Sequence, residues 1–153
     1  LSMNFVYRAL NSPLAEKVLR KAHGRLSPYL IPKSREGAIK MARVLKDGGH
    51  LAIMIDQKLN EGITIPFFGR PAKTTTALAA FALRHRCPII PARVERIAGA
   101  TFRVIFYPPI QLPNSGDTVR DTELIMRNAN QIIENWIRDT PSQWLWLHRR
   151  WGK

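Results

Sequence analysis

Between Asp56 and Thr76 the chain reads DQKLNEGITIPFFGRPAKTTT, which gathers most of its side chains with chemical potential. Asp56 ends an apolar run, and Phe67 and Phe68 precede Gly69, Arg70 and Lys73. Thr74, Thr75 and Thr76 then offer N-cap hydroxyls to the helical run ALAAFALRHR. Free amides and the positive end of the dipole at a helix N-terminus favour an anion, and two cationic side chains add to that preference. The stretch reads as an anion-binding, substrate-facing loop. Arg8, near the end of FVYRAL, and Arg149 and Arg150, among the tryptophans of WLWLHRRW, extend the preference. Arginine suits it because its planar fork gives phosphate two parallel donors.

Each of these residues also has a plainer use. Asp56 fits a loop or helix cap, or an ion pair with Arg70 or Arg8. Arg8, Arg70 and Lys73 fit solvated cations. Phe67 is expected in the core, whereas Phe68 suits either the core or a ligand contact. The alternation of Trp144, Trp146 and His148 against Leu145 and Leu147 predicts a last strand with one aromatic face. Its tryptophans fit core packing, a stacking patch for nucleic acid or an interfacial membrane anchor. His23, His85 and His148 have no partner at ligand spacing, so neither a metal nor a cofactor is expected. Cys87, before Pro88, is expected to be a small buried hydrophobe.

A chain of 153 residues suits one domain with a single core. Apolar residues at 45% and charged residues at 23% argue against disorder. The excess of 24 Lys+Arg over 11 Asp+Glu, a net of +13, demands anionic partners. One cysteine excludes an internal disulfide. No apolar run nears the roughly 20 residues that span a bilayer. The opening LSMNFVYRAL is strand-like almost at once and lacks Met at position 1. A piece of a longer protein, or a short added remnant, is therefore expected.

The elements that must position these residues alternate. A strand in FVYRAL (5–10) leads to a helix from Ser12-Pro13 to about His23, with Leu14, Val18 and Ala22 on its apolar face and Gly24 ending it. A brief strand at Tyr29–Ile31 precedes a helix capped by Ser34, whose Ala38, Met41, Ala42 and Leu45 share one face. Gly48-Gly49 ends that helix, and HLAIMI (50–55) reads as a buried strand. After the central loop and its helix, PIIPARVE (88–95) reads as a strand at an edge or bulged at Pro91. It forms a hairpin with FRVIFY (102–107). A last helix, about Val119 to Arg138, carries Ile125, Ala129, Ile132, Ile133 and Trp136. The expected fold is α/β, a mainly parallel sheet with an antiparallel hairpin extension, flanked by helices.

Five segments in fixed order, VYR (6–8), a strand ending in DQK (56–58), PFFGRPAKTTT (66–76), CPIIPARVER (87–96) and QWLWLHRRW (143–151), resemble one family. They are similar to the C-terminal half of bacterial lipid A biosynthesis acyltransferases, the lauroyl/myristoyl type within the wider glycerolipid acyltransferase superfamily. The resemblance implies transfer of an acyl chain from acyl-acyl carrier protein to a hydroxyl of a phosphorylated lipid A precursor. It places that reaction at the cytoplasmic face of the bacterial inner membrane, without a metal. It gives Arg8 a place beside the reacting groups and makes Asp56 the strand-end acid. Phe67, Phe68, Gly69 and Arg70 would help form the substrate cleft, and Pro88 and Pro91 match the superfamily's fourth motif.

The family's His-x4-acid pair is missing. The residues five after His23, His50, His85 and His148 are Pro28, Ile55, Ile90 and Lys153. His50 and Asp56, six apart, would lie about 20 Å from each other on a strand. The pair would precede VYR in the family, so this polypeptide alone is expected not to catalyse transfer. A net of +13 suits acyl-acyl carrier protein, a phosphorylated glycolipid and an anionic membrane surface. A nucleic-acid-binding module is the competing reading. The basic residues are spread through every element, however, and no nucleic-acid-binding signature is present, so no nucleic-acid partner is expected. A parallel sheet lacking neighbours would expose an edge, so self-association of the chain is expected.

Overall fold

The computed structural model describes residues 2–24 and 29–152. The chain divides into two compact units, residues 1–54 and 55–153. In the first, β1 (Met3–Tyr7) is the centre of a parallel three-stranded sheet, with β2 (Leu30–Pro32) on one side and β3 (His50–Ala52) on the other. The pairings are staggered: Met3 to Phe5 face His50 to Ala52, while Phe5 to Tyr7 face Leu30 to Pro32. That stagger explains why the apolar run to Ile55 is not one strand. Beyond Phe5 the β1 ladder belongs to β2, and β3 stops at Ala52.

Helix α1 (Pro13–His23) starts where the Ser12-Pro13 signal predicts, with the Ser12 hydroxyl accepting from the Ala15 amide at 3.4 Å. Its inward face differs from the expected one. Leu14 and Val18 are 73% and 61% exposed, and Ala22 is exposed as well. Ala15, Glu16, Leu19, Arg20 and His23 are the partly covered residues instead. Polar tethering sets this rotation. The Glu16 carboxylate accepts from the Tyr7 hydroxyl, from the Leu10 amide at 3.0 Å and from Arg20 Nε at 3.1 Å. Helix α2 (Arg35–Lys46) is capped by the Ser34 hydroxyl, which accepts from the Gly37 amide at 3.1 Å. Met41 is buried as expected, but Gly37 rather than Ala38 completes the contact. A Cβ on Gly37 would lie 1.8 Å from the Pro32 carbonyl oxygen, so only glycine lets α2 approach β2 this closely.

The second unit holds two antiparallel hairpins, β4 (Ile63–Phe67) with β5 (Arg70–Thr74) and β6 (Ala92–Ala98) with β7 (Thr101–Phe106). The parallel sheet is thus confined to three strands, and the expected single extension is two separate hairpins. PIIPARVE contributes to β6 only from Ala92; ahead of it, Ile89 makes an isolated bridge to Ile110. Helices α3 (Ala77–His85) and α4 (Thr118–Asp139) close one core of Ile65, Ala79, Ala82, Ile89, Ile125 and Met126. Cys87 is only partly buried at its margin. A second cluster joins Phe67, Ala72 and Ile137 to Phe68, Ile133, Trp144 and Trp151. The expected last strand is absent: a 3-10 turn (Pro141–Gln143) leads into successive turns through Trp151. Indole and guanidinium groups, rather than a ladder, anchor that segment.

The Tyr7 hydroxyl and then the Leu10 amide hold the Glu16 carboxyl below its usual range. A carboxyl depressed on folding stabilises above its unfolded pKa, and that contribution is lost as pH falls through the folded value. Amide exchange in residues 13–23 should therefore accelerate below the ordinary carboxylate range, and Glu16→Gln should abolish this acid step. Identical pH profiles for the two proteins would refute the tether.

Candidate functional site

The stretch expected to be an open loop is mostly the β4–β5 hairpin. Ile63, Ile65 and Phe67 alternate with exposed Thr64 and Pro66, and buried Ala72 and Thr74 answer them across the ladder. Phe68 and Gly69 form the two-residue turn with φ of 51° and 70°, the positive pair of a type I′ hairpin. Glycine adopts that region freely, whereas phenylalanine there costs about 1–2 kcal/mol. The contacts around Phe68 hold it in place. Its amide donates to Glu134 Oε1 at 2.8 Å, and its ring meets Phe67 edge-on at 5.1 Å. The Arg138 guanidinium lies 4.7 Å from the ring centroid.

Position along β5 separates the two expected cations. Arg70 and Lys73 are three residues apart on a strand whose side chains alternate, so they leave on opposite faces. Arg70 is exposed and caps the Trp151 ring at 5.6 Å. Lys73, opposite Thr64, is on the solvent face and serves the site through its carbonyl oxygen. That oxygen accepts from the Leu59 amide at 3.2 Å and from Arg150 at 2.8 Å. The three threonines also divide their work. The Thr75 hydroxyl accepts from the Ala77 amide at 3.2 Å, while Thr76, the N-cap residue, makes no side-chain cap. Thr74 is buried at the end of β5 and accepts from Arg150 at 2.7 Å. With Thr74 and Thr75 buried, the start of α3 is not the open anion cradle that the sequence suggested.

Arg150, expected to reach an anionic substrate, is 0% exposed. Its two terminal nitrogens are taken by the Lys73 carbonyl and the Thr74 hydroxyl, and its guanidinium lies 4.9 Å from the Phe67 ring centroid. Its Nε finds no partner among the described residues. Burial lowers its pKa, and nearby Asp56 opposes that shift. Arg149, its neighbour, is exposed. Asp56 is partly buried, and its Oδ2 accepts from the Trp144 indole at 3.3 Å. It therefore has neither the cap nor the direct ion pair anticipated for it. Lys58 follows the acid: its amide donates to His148 Nε2 at 2.9 Å, and its ammonium donates to the Gly152 carbonyl at 2.9 Å. The Trp151 indole donates to the Phe67 carbonyl at 2.9 Å.

Segments 56–58, 66–76 and 143–151 thus build one locus, and Gln143 adds a fourth by bonding both backbone groups of Arg96 in 87–96. Asp56, Phe68, Gly69 and Arg70 all belong to this locus. Arg8 belongs to the first unit, exposed just past the end of β1. Glu134 and Asn130 had no place in the sequence reading. Both are buried on α4, where Asn130 donates to the Pro66 carbonyl at 3.1 Å and Glu134 holds Phe68. The available signal was two polar residues four apart on the stripe of Met126 and Ile137. The locus offers an exposed guanidinium on an aromatic plate, a second one beside Phe68 and a partly buried carboxylate nearby. It can bind an anionic group and lay apolar chain against rings.

A family model described as bacterial lipid A biosynthesis acyltransferase matches residues 2–153. The chain is also 28% identical over 151 residues to the lipid A biosynthesis lauroyltransferase of Escherichia coli (strain K12), covering 95% of this chain and 47% of that protein. It therefore spans about half the length of that relative.

If Arg150 holds the end of β5 to the closing segment, Arg150→Met should destabilise the second unit by about 2–4 kcal/mol in denaturant unfolding. Arg149→Met should change stability by less than about 0.5 kcal/mol. Equal effects would remove the distinction between the buried arginine and the exposed one.

Proposed function

The chain belongs to the bacterial lipid A biosynthesis acyltransferase family, and from that membership we propose that it forms the substrate-facing part of an acyltransferase acting on a lipid A precursor. The donor in this reading is acyl-acyl carrier protein, and the acceptor is a hydroxyl of a phosphorylated glycolipid at the cytoplasmic face of the inner membrane. Arg70, exposed over Trp151, carries the proposal: it is a planar cation held against an aromatic ring with its guanidinium open to solvent. In this scheme Arg70 binds phosphate and Asp56 orients the polar end of a substrate. Arg149 and Lys73 add positive potential, and the Phe68 ring meets the lipid.

The chemical step needs a base to take the acceptor hydroxyl proton and donors for the thioester oxyanion. No histidine in the chain has an acid five residues on. We therefore assign the base to residues outside this sequence and expect no transfer from these 153 residues alone.

The isolated chain should bind phosphorylated lipid A precursor at about 0.15 M salt while single- and double-stranded nucleic acids dissociate. Arg70→Ala should weaken glycolipid binding about tenfold, and Arg70→Lys should restore it only partly. Transfer by the 153 residues alone would overturn the assignment of the base, and tighter binding to nucleic acid than to glycolipid would overturn the substrate class. Exposed Val94, Phe102, Val104 and Phe106 on β6–β7 support self-association in isolation. Sedimentation should show a concentration-dependent dimer, and a strict monomer would count against it.

A further inference from the structure

The closing segment contains a turn built from the wrong residues for water. The His148 amide donates to the Leu145 carbonyl at 3.1 Å, which closes a turn whose tip is Leu145, Trp146 and Leu147. Such turns normally carry Gly, Asn, Asp, Pro or Ser. Here the tip residues are 66%, 53% and 91% exposed.

We propose that the Leu145–Trp146–Leu147 turn is an interfacial anchor that seats the second unit on an anionic lipid bilayer. The Trp146 indole N–H already donates to the Pro141 carbonyl at 2.6 Å, so the ring can enter the headgroup region without stranding a donor. The tip is held in advance. Trp146 packs edge-on against Trp144 at 4.7 Å, and the chain is pinned three residues after Leu147 by buried Arg150. Little ordering cost is then added on contact. Exposed Arg149 borders the apolar tip, and the chain carries +13, the sign that an anionic leaflet attracts.

Those features select lipid over other occupants. A projecting three-residue tip needs a complementary pocket on a protein partner, whereas a fluid interface needs none. The proposal concerns where this chain sits, and it holds or fails without reference to acyl transfer.

Co-sedimentation with phosphatidylcholine vesicles, with and without phosphatidylglycerol, tests it on the chain as it stands. Phosphatidylglycerol should strengthen binding at low salt. A fraction should survive about 1 M salt, where screening shortens electrostatic reach to about 3 Å. The double substitution Leu145→Ser with Leu147→Ser removes side chains that are 66% and 91% exposed. It should lower partitioning about tenfold or more and remove the salt-resistant fraction. Arg149→Glu should weaken only the low-salt binding, and brominated lipid should quench tryptophan emission in the original protein but not in the double variant. Equal partitioning of the double variant would overturn the proposal, as would complete release of the original protein at about 1 M salt. Loss of a dimer in sedimentation with unchanged vesicle binding would also overturn it, by assigning the tip to a second copy.

Discussion

Everything around the aromatic locus depends on one buried cation. Withdrawing a guanidinium from water costs several kcal/mol unless its donors find acceptors. Arg150 meets that demand at its two terminal nitrogens, with the Lys73 carbonyl and the Thr74 hydroxyl, and lays its plane near the Phe67 ring. The charge can stay buried only while β5, the Phe67 ring and the closing segment keep their positions. It therefore ties residues 77 apart in sequence into one arrangement. Asp56 adds a favourable field without a direct contact. Its carboxylate is turned to the Trp144 indole instead.

A second constraint acts at the hairpin tip. Phenylalanine in the left-handed region is retained only when its surroundings over-determine it. Glu134 does so from α4 by accepting the Phe68 amide with one oxygen and Arg138 with the other. Two cations thus sit against aromatic faces on either side of the turn, Arg138 at Phe68 and Arg70 at Trp151. Arg138 also holds a carboxylate, whereas Arg70 is exposed on its ring.

Four of the five segments that carried the family resemblance bond to one another. DQK meets QWLWLHRRW through Asp56 with Trp144 and through Lys58 with His148, and PFFGR meets it through Phe67 with Trp151. Their order in the sequence was legible, but the reason for it was not. Capping and periodicity located the four α-helices of the described residues, yet periodicity named the wrong inward face for α1. Hydropathy sees Leu14 and Val18 but cannot see that Glu16 will be bound by Tyr7 and the Leu10 amide. Alternation from Ile63 to Thr74 was present to be read, but Phe-Gly lacks the Asn or Asp that marks most two-residue turns.

The family came from the resemblance of ordered segments; by itself the sequence also determined the α/β class, the helix starts at Ser12-Pro13 and Ser34 and the excess of positive charge. These follow from local spacing, capping and composition, which need no knowledge of distant neighbours. Only the tertiary structure decided which arginine is free. Arg149 and Arg150 are adjacent and identical in type, yet one is exposed and the other is a buried clamp. The difference arises because carbonyl and hydroxyl acceptors from β5 lie on one side of the closing segment. That placement is a property of packing across dozens of residues, and no window of sequence contains it.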